Sequence, residues 1–255
     1  MATGQDAARI SLRHLESLAE FREALKLQRE IWGFEDIELL PLRLFVVARK
    51  VGGQVIGAFD DSAPGSPMIG FLLAIPGLKP DGQYLHSHMM GVQARYRNFG
   101  VGRRLKLAQR EEALQRGIRL IEWTFDPLEI KNAFFNIERL GAVVRRFVLN
   151  QYGTTSSPLH GGLPTDRCVV EWHLDSERVR GVVAGRPAPH GEILAHVGMP
   201  HAIAEIRRND LPRALAIQQG VSNGFLEHLG RGLAVTGLER TPASAVYLFA
   251  KWPSE

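Results

Sequence analysis

Between Tyr84 and Gly117 the chain reads YLHSHMMGVQARYRNFGVGRRLKLAQREEALQRG, and two kinds of chemistry stand side by side in it. The first is anion binding. Arg97, Gly100 and Gly102 open a basic helix, and the first N–H groups of a helix have no intrahelical partner while the aligned peptide dipoles leave that end partly positive. Glycine at 100 and 102 removes the Cβ atoms that would hold a diphosphate away from those amides and opens backbone angles closed to other residues. The second is proton transfer. Strand alternation places Tyr84, His86 and His88 on one face and Leu85, Ser87 and Met89 on the other. Histidine titrates near neutrality, so His86 and His88 suit a base that strips a proton from a nucleophile; a structurally bonded or solvent-facing pair is the alternative.

The charge pattern agrees with the first reading. Residues 95–119 hold eight basic side chains against two acidic ones, whereas the whole chain is only +4. The basic excess is a patch beside a phosphate-sized turn rather than a general property. Two common glycine motifs are excluded: a dinucleotide fingerprint needs a third glycine where Leu105 stands, and a P-loop needs Gly-Lys-Ser or Gly-Lys-Thr.

Val92 followed by Tyr96-Arg97-x-x-Gly100-x-Gly102-Arg103-x-Leu105 resembles the acyl-CoA-binding motif of the GNAT superfamily of N-acetyltransferases. Downstream, Asn132-Ala133-Phe134-Phe135 and then Leu140-Gly141-Ala142 are similar to that superfamily's second segment, slightly compressed. The resemblance spans roughly residues 9–175 and is strongest over 84–142. It implies an α/β fold with a central mixed, mostly antiparallel sheet flanked by helices, and acetyl-CoA or another acyl-CoA as co-substrate without a metal. It also implies cofactor contacts from Met90, Gly91, Val92, Arg97, Asn98, Phe99, Gly100, Val101, Gly102, Arg103, Arg104, Asn132 and Phe135. In that frame His86 falls where many members carry an acidic base, and a backbone N–H among Met90–Val92 would polarise the thioester carbonyl.

One departure stands out. The superfamily's usual acid is a tyrosine on the helix after the second motif strand, where this chain has Phe134 and Phe135. Either another residue, with Tyr152 a distant candidate, or water protonates the leaving thiolate, or the protein is a catalytically impaired acyl-CoA sensor or interaction module. Glu122, Thr124 and Asp126 share a strand face and could form an acidic wall for a cationic amine, although Asp126 before Pro127 reads more readily as a helix cap. Thr165, Asp166 and Arg167, after Gly161-Gly162-Leu163-Pro164, either line an acceptor pocket or form a locally bonded turn. Met89, Met90 and Trp123 read as core.

These residues need a scaffold, and 255 residues at 45% hydrophobic and 23% charged suffice for one large domain or a domain with an appendage. Strand Ile10–Leu15 and helix Ser17–Trp32, with Ser17 as cap and Gly33 as stop, come first. Leu42–Ala48 could be helix or strand. Gln54–Phe59 and Met68–Ile75 form a hairpin across the turn-rich Asp60–Pro67. Strands Tyr84–Val92 and Arg119–Phe125 flank the basic helix, and helix Leu128–Leu140 leads to strands Val143–Tyr152 and Arg167–Leu174. Breakers over Ser176–Pro200 predict a connecting or irregular segment. Beyond it, Ile203–Ile206 could be a strand, Leu211–Leu229 is a helix with Pro212 in its first turn, and Leu233–Leu238 and Ala245–Trp252 are strands. Residues 1–175 are thus expected to form the acyl-CoA-binding domain, and 176–255 an extension, either a degenerate half-repeat packed on it or a simple stabilising addition.

The single cysteine, Cys168, permits no intramolecular disulfide and reads as a buried small hydrophobe. No apolar run reaches a membrane span, and the polar N-terminus lacks a signal peptide's apolar core, so a cytoplasmic protein is expected. The expected partner is a small-molecule or protein amine rather than nucleic acid or membrane, with the chain a monomer or homodimer.

Overall fold

The computed structural model describes residues 9–33, 38–153 and 162–252. The chain forms two compact units, Met1–Ile118 and Arg119–Glu255. The first contains β1 (Ile10–His14), α1 (Leu18–Trp32), α2 (Leu42–Lys50), β2 (Gln54–Asp60), β3 (Met68–Lys79), β4 (Gly82–Val92), a 3₁₀ turn (Ala94–Tyr96) and α3 (Val101–Gln115).

Helix α1 starts where expected because Ser17 forms a reciprocal capping box with Glu20. Partial burial would raise the Glu20 carboxyl, but the N–H groups of Glu16 and Ser17 and the Arg13 guanidinium outweigh it and bring the pKa to about 2. Gly33, in the left-handed region at φ 63°, ends the helix. The open segment after Pro41 resolves as helix, with Phe45 and Ala48 three residues apart and both buried.

Strands β1, β2, β3 and β4 pair antiparallel in that order. Strand alternation sends Val55, Phe59, Phe71 and Leu73 into a core with α1 and α2, and Ile56, Ala58, Leu72 and Ala74 into one with α3. β4 breaks the simple alternation. Leu73 pairs with Met89 while the next residue, Ala74, pairs with Ser87, so His88 is an extra residue in β4. Met89 therefore leaves the face of Leu85 and Ser87 and packs with the α1–α2 core, while Met90 and Val92 pack on the α3 side.

The second unit contains β5 (Leu120–Phe125), α4 (Ile130–Phe134) continuing into a π-turn (Phe135–Arg139), β6 (Val143–Val148), β7 (Arg167–His173), α5 (Glu177–Val183), β8 (Ile193–Pro200), α6 (Ile203–Asn209), α7 (Leu211–Gly230), β9 (Leu233–Arg240) and β10 (Ser244–Lys251). The strands lie in the order β5-β7-β6-β9-β10-β8. Among the described residues every pairing within either unit is antiparallel. β6 meets β9 at Val144 and Val235, so strands from before and after position 175 share one sheet.

Two stretches differ from the sequence expectation. Ser176–Pro200 is not irregular: the Ser176 hydroxyl accepts from the Val179 N–H and starts α5, and β8 follows, its proline at the last position of a strand at the end of the sheet order. Ile203–Ile206 is helical, because Ile203 and Ile206 bury one face of α6 at a three-residue spacing. Asp210 then caps α7, whose Pro212 sits in the first turn as expected.

The extra strands are locked in by one buried arginine. Arg178 Nε donates to the Gly141 carbonyl at 2.9 Å and Nη2 to the Thr236 carbonyl at 2.6 Å, while Nη1 reaches the Pro189 carbonyl. Burial lowers its pKa from the usual arginine value to about 10.

Candidate functional site

The glycine turn has the backbone its sequence calls for. Asn98 and Gly100 are left-handed at φ 69° and 78°, and an added Cβ at Gly100 would meet nothing within 4 Å. A Cβ at Gly102 would touch only the Met90 methyl, at an ordinary 3.5 Å. Gly100 is thus fixed by its left-handed backbone rather than by crowding, and the surface over both glycines is open. Gly100 stands at the cap position of α3 and provides no side-chain hydrogen bond there, and the Arg104 N–H makes the first intrahelical bond to its carbonyl. The first-turn amides thus lack a side-chain cap, the arrangement that suits an anion.

Several contacts fix the turn on its scaffold. Arg97 Nε donates to the Val92 carbonyl at 3.2 Å, tying the turn to the end of β4. The Tyr96 hydroxyl donates to Asp60 Oδ2 at 2.6 Å, and bonds from Ser62 and then Tyr96 lower the Asp60 pKa. Val101 is buried and anchors α3, whereas Phe99 is exposed. The two arginines after Gly102 are not equivalent. Arg103 is half-buried, and Arg104 donates from Nη2 to the Ile10 carbonyl at 2.6 Å, which turns it toward β1.

On β4 the rings of His86 and His88 lie 5.9 Å apart, so the two imidazoles are neighbours despite the bulge. His86 is half-buried and His88 exposed. Partial desolvation of the His88 ring lowers its pKa from the ordinary histidine value, favouring the neutral form that can accept a proton. Behind the pair, on the opposite face of β4, Ser87 is buried against α3. Gly91 is required by packing: a Cβ there would lie 2.5 Å from the Trp32 ring and 2.8 Å from Ile31.

In the second unit, Asn132 lies exposed on α4, with its Oδ1 accepting from Asn136 Nδ2 at 3.3 Å. Asn136 in turn accepts from the indole N–H of the buried Trp123 on β5. This relay, which sequence reading missed, is signalled only by the four-residue spacing of the two asparagines. Phe134 and Phe135 are half-buried where α4 widens into the π-turn, and the Arg240 guanidinium stacks 3.6 Å from the Phe134 ring centroid.

The carboxylates of β5 are engaged. Glu122 is buried and pairs with Arg146 at 2.6 Å. Asp126 accepts from the Leu128 N–H at 2.8 Å and pairs with Arg207 at 3.1 Å; α4 starts only at Ile130 with Glu129 at its cap position, so Asp126 holds the turn before the helix rather than capping the helix itself. The Thr124 and Tyr152 hydroxyls lie 3.2 Å apart, bringing Tyr152 back to β5 despite its distance in sequence. Thr165 and Asp166 are held not by their neighbours in sequence but by Asn150, Tyr152 and Gly153 and, at 2.5 Å, by the Ser222 hydroxyl donating to Asp166 Oδ2, so the bonds are not those of a local turn; Gly161 lies outside the described residues. Arg167 is buried with its guanidinium 5.5 Å from the Tyr152 ring centroid. Burial raises the Cys168 thiol well above its usual pKa, which suits a core residue rather than a nucleophile.

No protein-family model and no curated protein matches the chain. Solved structures do. Arabidopsis thaliana NAA60 in complex with acetyl-CoA superposes with a TM-score of 0.55 at 16% identity, over 66% of this chain and 99% of that one. The NatC complex bound to Gag peptide and CoA gives 0.52 at 16% identity, over 64% and 98%. A putative GNAT-family acetyltransferase from Desulfovibrio desulfuricans gives 0.51 at 14%, over 65% and 99%. The chain therefore has the fold of the GNAT N-acetyltransferases, as its motifs imply. Among the described residues no helix is long and apolar enough to cross a membrane.

Proposed function

We propose that the protein is an acyl-CoA-dependent N-acyltransferase that moves an acetyl group from acetyl-CoA to an amine by direct transfer in a ternary complex. The observation that carries this reading is the turn Arg97–Gly102. Two left-handed residues, an open space at Gly100 and the uncapped first turn of α3 form a diphosphate cradle on a GNAT fold. Met90, Gly91, Val92, Asn98, Phe99, Val101 and Arg103 surround or support that cradle, and Asn132 and Phe135 are assigned to the cofactor arm by the motif resemblance.

The chemistry assigned to these residues is aminolysis of a thioester. The amine nitrogen attacks the carbonyl carbon, a C–N bond forms, the C–S bond breaks, and the thiolate leaves. A backbone N–H among Met90–Val92 polarises the carbonyl oxygen. His86, with His88 beside it, takes the proton from the amine, directly or through water. Neither Phe134 nor Phe135 can protonate the leaving sulfur. A thiol ionises near pH 8.5, so its thiolate is a tolerable leaving group near neutrality, and water or the Tyr152 hydroxyl returns the proton.

The test is a thermal-shift titration with acetyl-CoA followed by free-thiol release over a panel of amines. Acetyl-CoA stabilises the protein and at least one amine accelerates thiol release if the reading is right. Stabilisation without amine-dependent release makes the protein an acyl-CoA sensor, and no stabilisation removes the reading altogether.

A further inference from the structure

The strand that carries the histidines and the helix that carries the cradle are joined by a buried polar link that neither binding nor proton transfer explains. Lys106 is 2% exposed, and its Nζ donates to Ser87 Oγ at 2.7 Å and to Gln109 Oε1 at 3.1 Å. The Ser87 hydroxyl also donates to Gln109 Oε1 at 3.3 Å, and Gln54 Nε2 donates to the Gln109 carbonyl at 3.1 Å. All four residues are buried, yet Gln54 Oε1 and Gln109 Nε2 have no hydrogen-bond partner. An apolar side chain at 106 would avoid the cost of desolvating an amine, so packing alone does not account for lysine here.

The location suggests what the link does. Ser87 stands between His86 and the extra residue His88, immediately before the point where alternation changes face. Gly102, Lys106 and Gln109 follow one another at helical spacing along α3. Gly102 lies against the Met90 side chain just beyond the bulge, while Lys106 and Gln109 hold Ser87 just before it. One helix face thus grips β4 on both sides of His88. A bulge inserts a residue that could shift along the strand, and a one-residue slip would send His86 to the opposite face.

Resting on the acyltransferase reading above, we propose that Lys106 is a positioning residue: through Ser87 and Gln109 it pins the β4 bulge to the cradle helix and so sets where the His86 and His88 rings stand. The buried amine is not placed to touch substrate or phosphate and acts through Ser87 and Gln109. Burial pulls its pKa well below the usual lysine value, which favours the uncharged amine as donor to the hydroxyl.

The experiment uses the full chain with Lys106→Met, which preserves side-chain length without the donor, Lys106→Gln, which restores a neutral donor, and Ser87→Ala, which removes the acceptor. Kd for CoA is measured by calorimetry, kcat and KM against an active amine, and the histidine ring pKa values by NMR titration of their carbon-bound protons. Lys106→Met and Ser87→Ala each lower kcat by about tenfold to a hundredfold, as misplacement of a reacting group does. They leave Kd for CoA within about threefold, shift the His86 or His88 titration, and cost no more together than singly. Lys106→Gln recovers most of the loss. Wild-type kcat and unchanged histidine titrations in both single variants overturn the proposal. If Lys106→Met does not fold, Ser87→Ala decides by itself, since it removes one hydroxyl from a packed site. Wild-type protein that neither binds CoA nor releases thiol in response to any amine would instead remove the underlying reading, so the two failures are distinguishable.

Discussion

The cradle can be tested with two substitutions of nearly the same shape, Gly100→Asn and Gly100→Asp. Gly100 has φ 78°, and a Cβ there meets nothing within 4 Å, so both side chains fit and both pay a similar left-handed penalty of about 1 kcal/mol. Asn and Asp tolerate that conformation better than other residues, so the fold survives in each. They differ in one charge. If a diphosphate rests on the α3 amides, the Asp carboxylate sits roughly 6 Å from it, where one like-charge pair costs about 3 kcal/mol at an effective dielectric constant near 20. That energy corresponds to a CoA Kd about 10² weaker for Gly100→Asp than for Gly100→Asn, and the gap narrows as salt is added. Calorimetry with CoA at two ionic strengths, beside a melting curve for each variant, reads the difference directly. Equal CoA affinity for two folded variants would refute the placement of the diphosphate on this turn.

Three further outcomes are expected. His86→Ala lowers turnover by roughly 10² with little change in acetyl-CoA affinity, and its kcat/KM profile loses the acidic limb that the wild type shows below the histidine pKa; an unchanged rate and profile would make the ring structural. Lys106 carries a depressed pKa in the folded state, so the native protein binds fewer protons there than the unfolded chain. The wild type therefore gains stability relative to Lys106→Met as pH rises from the folded pKa toward 10.5, and denaturant titrations showing a flat difference over that window would contradict it. Arg178→Met strands the carbonyls of the buried Gly141 and Thr236 and frees that of the exposed Pro189, and costs on the order of 3 kcal/mol in denaturant midpoint experiments, and a loss below about 0.5 kcal/mol would show that the arginine is not the lock it looks like.

The parts of this protein that its sequence determined are those whose physics is local. Gly100, Asn98 and Gly102 specify the turn through backbone angles, Ser17 and Glu20 start α1 by bonding each other, and Asp126 and Asp210 bond to the turns that follow them, so each was legible at a distance of a few residues. The order of strands and helices from Ile10 to His173 follows largely from hydrophobic spacing, whereas the GNAT fold was implied by the resemblance of the Tyr96–Leu105 and Asn132–Ala142 motifs. Irregularities in that spacing were not legible. The extra residue at His88 exists only because Leu73 and Ala74 pair with Met89 and Ser87, and this pairing moves Met89 to the other face. Breaker residues over Ser176–Pro200 concealed α5 and β8, because beyond the local Ser176 cap the bonds that hold them join Arg178 to the distant Gly141 and Thr236 carbonyls and β8 to β10. Nor could spacing show that Tyr152 returns to Thr124, that Glu122 is neutralised by Arg146, or that Lys106 is buried against Ser87. A lysine in a basic helix reads as one more surface cation until the strand behind it is in place, since burial is decided by what packs against a side chain rather than by the side chain itself.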